Sequence, residues 1–386
     1  MGVIMSVRQT EKPYSQFCLR RKQAFAQKLQ EANVAAAFFE DTEGRRDPAI
    51  RYFTGHPGDA LLVVTAKGES VLCPWDEHMA ALMAEADTVL PFTKFARNPL
   101  KAAAGIFRKL KLADGSRIEI PPETPYPLFL RFVDALAGYN VLCRENGSHE
   151  EAVLMRAVKD EYEIGCIRKA AAVTDAIIEL IEARIKDGTI QTETDAALLI
   201  ERECRNAGCE GTGFETLAAG PARSFGIHCF PPYTAQPFPA DGLSILDFGV
   251  VTDGYTSDVT LTVAKGTLTP AQEAQLELTE KAYAKALELY NPGVPIKAAA
   301  LKADEVFAKA KKSMPHALGH GIGLEAHEFP PVKPAIPPET VFVPGMVVTL
   351  EPGLYDPANG GCRLENDVLI TETGHEVLTK SKIIRL

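Results

Sequence analysis

Asp247 and Asp258 stand eleven residues apart in the run LDFGVVTDGYTSDVT, on either side of the turn signal Thr252-Asp253-Gly254. Side chains alternate faces along a strand, so across a hairpin with an even-length loop two residues an odd number apart share a face. The spacing predicts an antiparallel hairpin that projects both carboxylates from one side. On the competing reading one aspartate caps the turn and the other is a solvated strand charge. An aspartate inside the apolar run SILDF is costly to bury without a partner, which favours the paired arrangement.

Three blocks downstream add GHGIGLEAHE, TLEPGLY and CRLEN, with His320, Glu351 and Glu365. One imidazole and four carboxylates form a hard, oxygen-rich donor set. Such a set suits two divalent cations, Mn²⁺ first, then Co²⁺ or Fe²⁺, with Zn²⁺ tolerated, and it is unlike a thiolate-rich structural zinc site. Glu351 and Glu365 are fourteen apart, an even number, so a two-residue turn would send them to opposite faces. The longer stretch YDPANGG leaves room for an odd loop or a bulge that restores a common face, and parity alone does not decide. The alternative is a turn start at Glu351 and a surface ion pair between Glu365 and Arg363. Three of the chain's eight histidines, His316, His320 and His327, fall in HALGHGIGLEAHE. Gly319, Gly321 and Gly323 leave space beside His320 for a ligand.

At 386 residues the chain exceeds the size at which one core keeps growing, so two domains are expected. A net charge of −10 argues against nucleic acid and anionic membrane as partners. The eight cysteines are scattered without a C-x-x-C pair, which reads as a reduced, cytoplasmic chain. No run approaches ~18 uninterrupted apolar residues, and the N-terminus lacks the layout of a secretory signal. Met1-Gly2-Val3-Ile4-Met5-Ser6 fits a myristoylation pattern and Asn146-Gly147-Ser148 a glycosylation acceptor, and both are read as chance matches.

Along the chain, FCLRRKQAFAQKLQEAN has helical spacing, and VAAAFFE, IRYFTG, ALLVVTA and ESVLCP read as strands. Helical patterns from about Asp76 to Glu85 and Leu100 to Leu110 alternate with the strands SRIEI and NVLCR. The first 148 residues are therefore an α/β domain, and 149–386 form the second, α+β domain. A long helix from about Glu150 to Ile185 should break near Asp160 in KDEYE. TETDAALLIERECRNAG, Pro270 to Leu289 and Ile296 to Lys311 complete the helices. The proline-rich PPETPYP and FPPVKPAIPPETVFVP read as ordered loops lining a rim.

Taken together, IRYFTG, VLMRAVKDEYEI and the five ligand blocks in this order resemble the creatinase, prolidase and aminopeptidase P family of pita-bread metallopeptidases, over nearly the whole chain. The resemblance implies a creatinase-like N-terminal α/β domain and a C-terminal pita-bread catalytic domain. It implies that Asp247 chelates one metal, that Asp258 and Glu365 bridge two, and that His320 and Glu351 complete the second. By the same resemblance Glu351 shuttles a proton, His228 and His327 stabilise the tetrahedral intermediate or position the substrate, His316 lines a pocket for a proline ring, and Arg363 fixes an acidic ligand. The resemblance, with so large an N-terminal domain, implies hydrolysis of Xaa-Pro bonds in dipeptides or short peptides, and a water between two cations, which gives up a proton far more readily than bulk water, would supply the attacking hydroxide. A homodimer is implied as well, because a neighbouring subunit's N-terminal domain walls such sites.

Three positions depart from the family pattern. Leu261 stands for an arginine in SDVTLTV, the stretch from Gly220 to His228 is one residue longer, and Asn366 follows Glu365 where aspartate is commoner. A metal-dependent lyase or small-molecule hydrolase on the same fold is the alternative activity. A non-catalytic binding module is the third reading, and retention of all five ligand types argues against it.

Overall fold

The computed structural model describes residues 12–386, so the hexapeptide Met1–Ser6 lies outside the described residues. The chain divides into two compact units, 1–155 and 156–386. The helix Ser148–Ala157 runs across that border, starting at the boundary expected from sequence.

In the first unit the strand Ala36–Asp41 lies inside a six-stranded sheet, antiparallel to Ala60–Thr65 and parallel to Arg117–Glu119. Every residue of Ala36–Asp41 is buried, as a strand covered on both faces requires. Helices Pro99–Leu110 and Tyr126–Ala135 pack Ile106, Phe107 and Phe132 against Phe38, Leu61 and Val63. Tyr126–Ala135 starts inside the proline-rich PPETPYP, with Pro127 in its first turn, where a missing N–H costs nothing. That helix is absent from the sequence reading.

IRYFTG is a helix, Ala49–Thr54, and not the strand expected from its β-branched and aromatic residues. Packing overrides propensity here. The Phe53 ring sits 4.9 Å from Phe25 and 5.6 Å from Phe39, and Gly55 at φ 71° closes the turn.

In the second unit the break near Asp160 is present. Asp160 caps the helix Glu161–Lys186 through a capping box with Glu163. Behind it lie the helices Glu193–Asn206, Pro270–Leu287 and Ile296–Lys309, two of them opened by threonine capping boxes at Thr192 and Thr269. A four-stranded sheet is built around Gly242–Phe248 and Val259–Lys265, and a five-stranded sheet around Val347–Leu350 and Asn366–Ile370. A bridge between Thr260 and Glu365 joins the two. The helices bury one face of the first sheet through Ile178, Ile181, Ile200, Leu246, Phe248 and Leu261. Leu261 thus faces the core, while its neighbours Thr260 and Thr262 face the other way and bond Glu365 and Arg363. No helix among the described residues is long and apolar enough to cross a membrane. No disulfide joins the cysteines.

Candidate metal centre

Thr260 opposes Asp247, and the same register runs through Val251↔Thr256 and Thr252↔Tyr255 to a two-residue turn. Asp253 and Gly254 both take positive φ, 51° and 89°, the backbone that a tight antiparallel hairpin needs. With this even loop Asp258 sits two residues from the partner of Asp247, on the same face.

The second acidic pair is settled by an odd loop. Gly353 opposes Arg363, Asp356 opposes Gly360, and only Pro357, Ala358 and Asn359 lie between. Leu350 opposes Asn366 beyond it, so the register sets Glu351 against Glu365.

His320 comes from the short bulged strand Gly319–Gly321. The flanking glycines are required by close backbone approach more than by ligand access. A Cβ on Gly319 would meet the Thr349 carbonyl at 2.1 Å, and one on Gly321 the Phe329 carbonyl at 2.3 Å. His320 Nδ1 lies 3.1 Å from the Gly321 carbonyl and donates to it, which leaves the Nε2 lone pair facing Glu351 Oε1 at 3.4 Å and Asp258 Oδ2 at 3.8 Å. Burial lowers this imidazole to about 4, so it stays neutral, the form in which a ring nitrogen binds a cation.

Asp258, His320 and Glu365 offer donor atoms within 4.8 Å of one another, and Asp247 and Glu351 line the same cavity of about 250 Å³. Burial, then Glu365 and Asp247, pushes Asp258 well above the carboxylate range. Burial and Glu365 do the same to Glu351, and burial and Asp247 carry Glu365 up to about 7. Carboxylates so placed hold protons or cations. The buried Asp247 Oδ1 has no hydrogen-bond partner in the protein, and an orphaned carboxylate oxygen in a cavity shared with other carboxylates and one neutral imidazole fits a hard divalent ion.

Arg363 lies against this ring. Its Nη2 donates to Asp247, Nε to Thr260 Oγ1 at 2.8 Å, and Nη1 to the Tyr355 hydroxyl at 2.8 Å and the Ile227 carbonyl at 3.1 Å. The guanidinium thereby holds one Asp247 oxygen and leaves the other to the cavity. Asn366 accepts from Thr379 Oγ1 and Ser381 N and serves the sheet.

The His327 ring lies tilted against His320 with centroids 4.2 Å apart, and His228 lines the cavity with it. His316 is not among the lining residues. Its Nε2 meets the Tyr355 hydroxyl at 2.9 Å, and its Nδ1 stands 3.8 Å from Glu351 Oε2, behind that carboxylate. The loop of His228 is held by Glu193, whose fully buried carboxylate accepts from Gly220 N at 2.8 Å, Thr234 N at 2.7 Å and Arg223 Nη1 at 2.5 Å. Sequence reasoning missed Glu193, because its partners are brought to it only by folding. It also missed the walls of the cavity, Phe214, Glu215, Leu217, Cys229, Phe230 and Pro232.

Two hairpins that bring four carboxylates around the cavity of His320 define a metal-dependent hydrolase. "Metallopeptidase family M24" matches residues 165–372, and this chain belongs to that family. "Putative dipeptidase YkvY" of Bacillus subtilis is 37% identical over 227 residues, 58% of this chain and 61% of that protein. "Uncharacterized peptidase SH1217" of Staphylococcus haemolyticus is 31% identical over 344 residues, 86% of this chain and 92% of its own length. The crystal structure of the prolidase from Pyrococcus horikoshii matches with a TM-score of 0.79 and 25% identity, covering 94% of this chain and 98% of that one. The two-domain architecture expected from sequence is that of this prolidase.

Proposed function

We propose that the chain is an exopeptidase that releases the N-terminal residue from peptides with proline in second place, using two divalent cations. The observation that carries this reading is the convergence of Asp247, Asp258, Glu351 and Glu365 on His320 in a cavity whose apolar wall is Phe214, Leu217, Phe230 and Pro232. The names of the relatives, a dipeptidase and a prolidase, support it.

Asp247, Asp258, His320, Glu351 and Glu365 would hold the ions, Mn²⁺ first and Co²⁺, Fe²⁺ or Zn²⁺ as alternatives, and bound there the ions would acidify a water and polarise the substrate carbonyl. The chain's own groups do the rest. Glu351 has the most open side chain of the four acids, 15% exposed against 10% for Asp247, 5% for Asp258 and 3% for Glu365. It takes the proton and delivers it to the departing imino nitrogen. His228 and His327 donate to the oxygen that becomes negative as the carbonyl is attacked. Arg363 keeps Asp247 in place, and His316, held between the Ala317 carbonyl and the Tyr355 hydroxyl, packs behind Glu351. The apolar wall excludes water and takes up the proline ring. A homodimer and a reducing, cytoplasmic setting belong to the same reading.

The test is release of free amino acid from Xaa-Pro and matched Xaa-Ala peptides by the full chain supplied with Mn²⁺. The reading expects cleavage of the proline peptides, and failure to cleave any of them contradicts it.

A further inference from the structure

We infer that Glu193 is a positioning residue for the reaction, whose carboxylate ties together both ends of the stretch 220–234 and so sets the aim of His228 at the oxygen that becomes negative. The inference rests on the exopeptidase reading above and deepens it.

Glu193 opens the helix Glu193–Asn206, yet the helix has no use for its side chain, because Thr192 and Asp195 complete the capping box between themselves. The carboxylate serves instead the chain that connects the strands Leu217–Ala219 and Gly242–Phe248. Its Oε1 accepts from Gly220 N at 2.8 Å, and its Oε2 from Thr234 N at 2.7 Å and Thr234 Oγ1 at 2.6 Å, while Arg223 donates to it from within the same stretch. Arg223 also donates to the Pro231 carbonyl. The Glu193 side chain is fully buried, so these bonds are made away from water, where a charged acceptor binds its donors strongly and is costly to leave unpaired. Of the residues enclosed between the two tied ends, His228, Cys229, Phe230 and Pro232 line the cavity. His228 is exposed, and no hydrogen bond to another described residue holds its ring, so its backbone sets its aim. That backbone is fixed by Arg363 at the neighbouring Ile227 carbonyl and by Glu193 at the two ends. A neutral amide could not replace the carboxylate, since it offers one accepting atom and its NH2 would face the N–H of Gly220 or of Thr234.

The experiment is a double-mutant cycle on the full chain with Mn²⁺, combining Glu193→Gln with His228→Ala and following leucine release from Leu-Pro and Leu-Pro-Ala. Glu193→Gln should lower kcat by about tenfold or more, the scale of a small misplacement of a reacting group, and leave Mn²⁺ affinity within about twofold of the parent by calorimetry. In the His228→Ala background the same change should cost less than about twofold, because the group it positions is gone. Losses that multiply, or a fall in Mn²⁺ affinity that accounts for the lost activity, would mark a general structural role and overturn the inference. Hydrogen exchange of the metal-free chain gives a readout independent of activity. The Gly220 and Thr234 amides should exchange faster in Glu193→Gln while those of the strand Val259–Lys265 stay as protected as before, and unaltered exchange at both ends would also overturn the inference. If Glu193→Gln fails to fold, Thr234→Val removes one donor at the far end and leaves the carboxylate paired with Arg223. It should give a smaller loss with the same dependence on His228, and a loss independent of His228 would overturn the inference. Cleavage of neither peptide by the parent would strike the exopeptidase reading itself, and this inference with it.

Discussion

Two buried acidic clusters in the C-terminal unit answer the same electrostatic problem in opposite ways. Glu328, with its side chain 3% exposed, receives Arg156 Nη2 at 2.5 Å and Lys159 Nζ at 3.0 Å, and also accepts from Leu324 N at 3.0 Å. Although burial opposes it, the pull of Lys159 and Arg156 holds this carboxyl below its ordinary value. Asp258 and Glu365 are buried beside the half-buried Glu351, with Arg363 as the one guanidinium among the described residues lining their cavity, and all three acids are raised. A self-neutralised cluster is a structural clamp, here on the segment that carries His320 and His327. A cluster left with excess negative charge needs a cation from solution.

Removing one acid from each cluster should separate them most sharply. Asp258→Ala should cut kcat/KM by on the order of 10³, the scale of losing a group that acts on the transition state, while leaving the metal-free protein as stable as before or more so, because a carboxyl that folding desolvates among other acids is gone. Glu328→Ala should do the reverse to the fold and destabilise it by about 3–5 kcal/mol, since Arg156 and Lys159 are left buried without their shared partner. Urea unfolding of the two metal-free variants gives both answers. Equal destabilisation would erase the contrast.

A smaller effect is expected one step away from the donors. Arg363→Met frees the Asp247 oxygen that the guanidinium holds, and Mn²⁺ affinity should fall by about 10–100-fold, read by titration calorimetry. Unchanged affinity would remove Arg363 from the account.

The pH dependence of the metal-free protein should bend in both directions. Raised acids stabilise the fold fully below the ordinary carboxylate range, and that contribution is lost as pH rises through their folded values, about 7 for Glu365. Glu328 is depressed, so its contribution is present above its ordinary value of 4.5 and is lost as pH falls through the folded one. Tm should therefore peak in mild acid. Mn²⁺ should flatten the alkaline decline and leave the acid one untouched. A metal-free Tm that climbs steadily to pH 8 would contradict this.

How far the sequence carried the reader differs between these regions for physical reasons. The first hairpin was legible because its loop has two residues and Gly254 marks it, so parity alone put Asp247 and Asp258 on one face. The second was not, because the loop length within YDPANGG is fixed by which residues pair, and only the structure counts three between Asp356 and Gly360. The Glu328 clamp was invisible, since Arg156 lies 172 residues and Lys159 169 residues away in the chain. AHE drew notice for its histidine. IRYFTG misled because its β-formers pack as one face of a short helix against Phe25 and Phe39. The walls of the cavity carry no spacing signal at all.

Titration of the metal-free chain with Mn²⁺ near pH 7, alongside Asp258→Ala, tests the central claim most directly. The account predicts two ions bound per chain and loss of both tight sites in the variant. A chain that binds no Mn²⁺, or a variant that binds it as well as the parent, would contradict it.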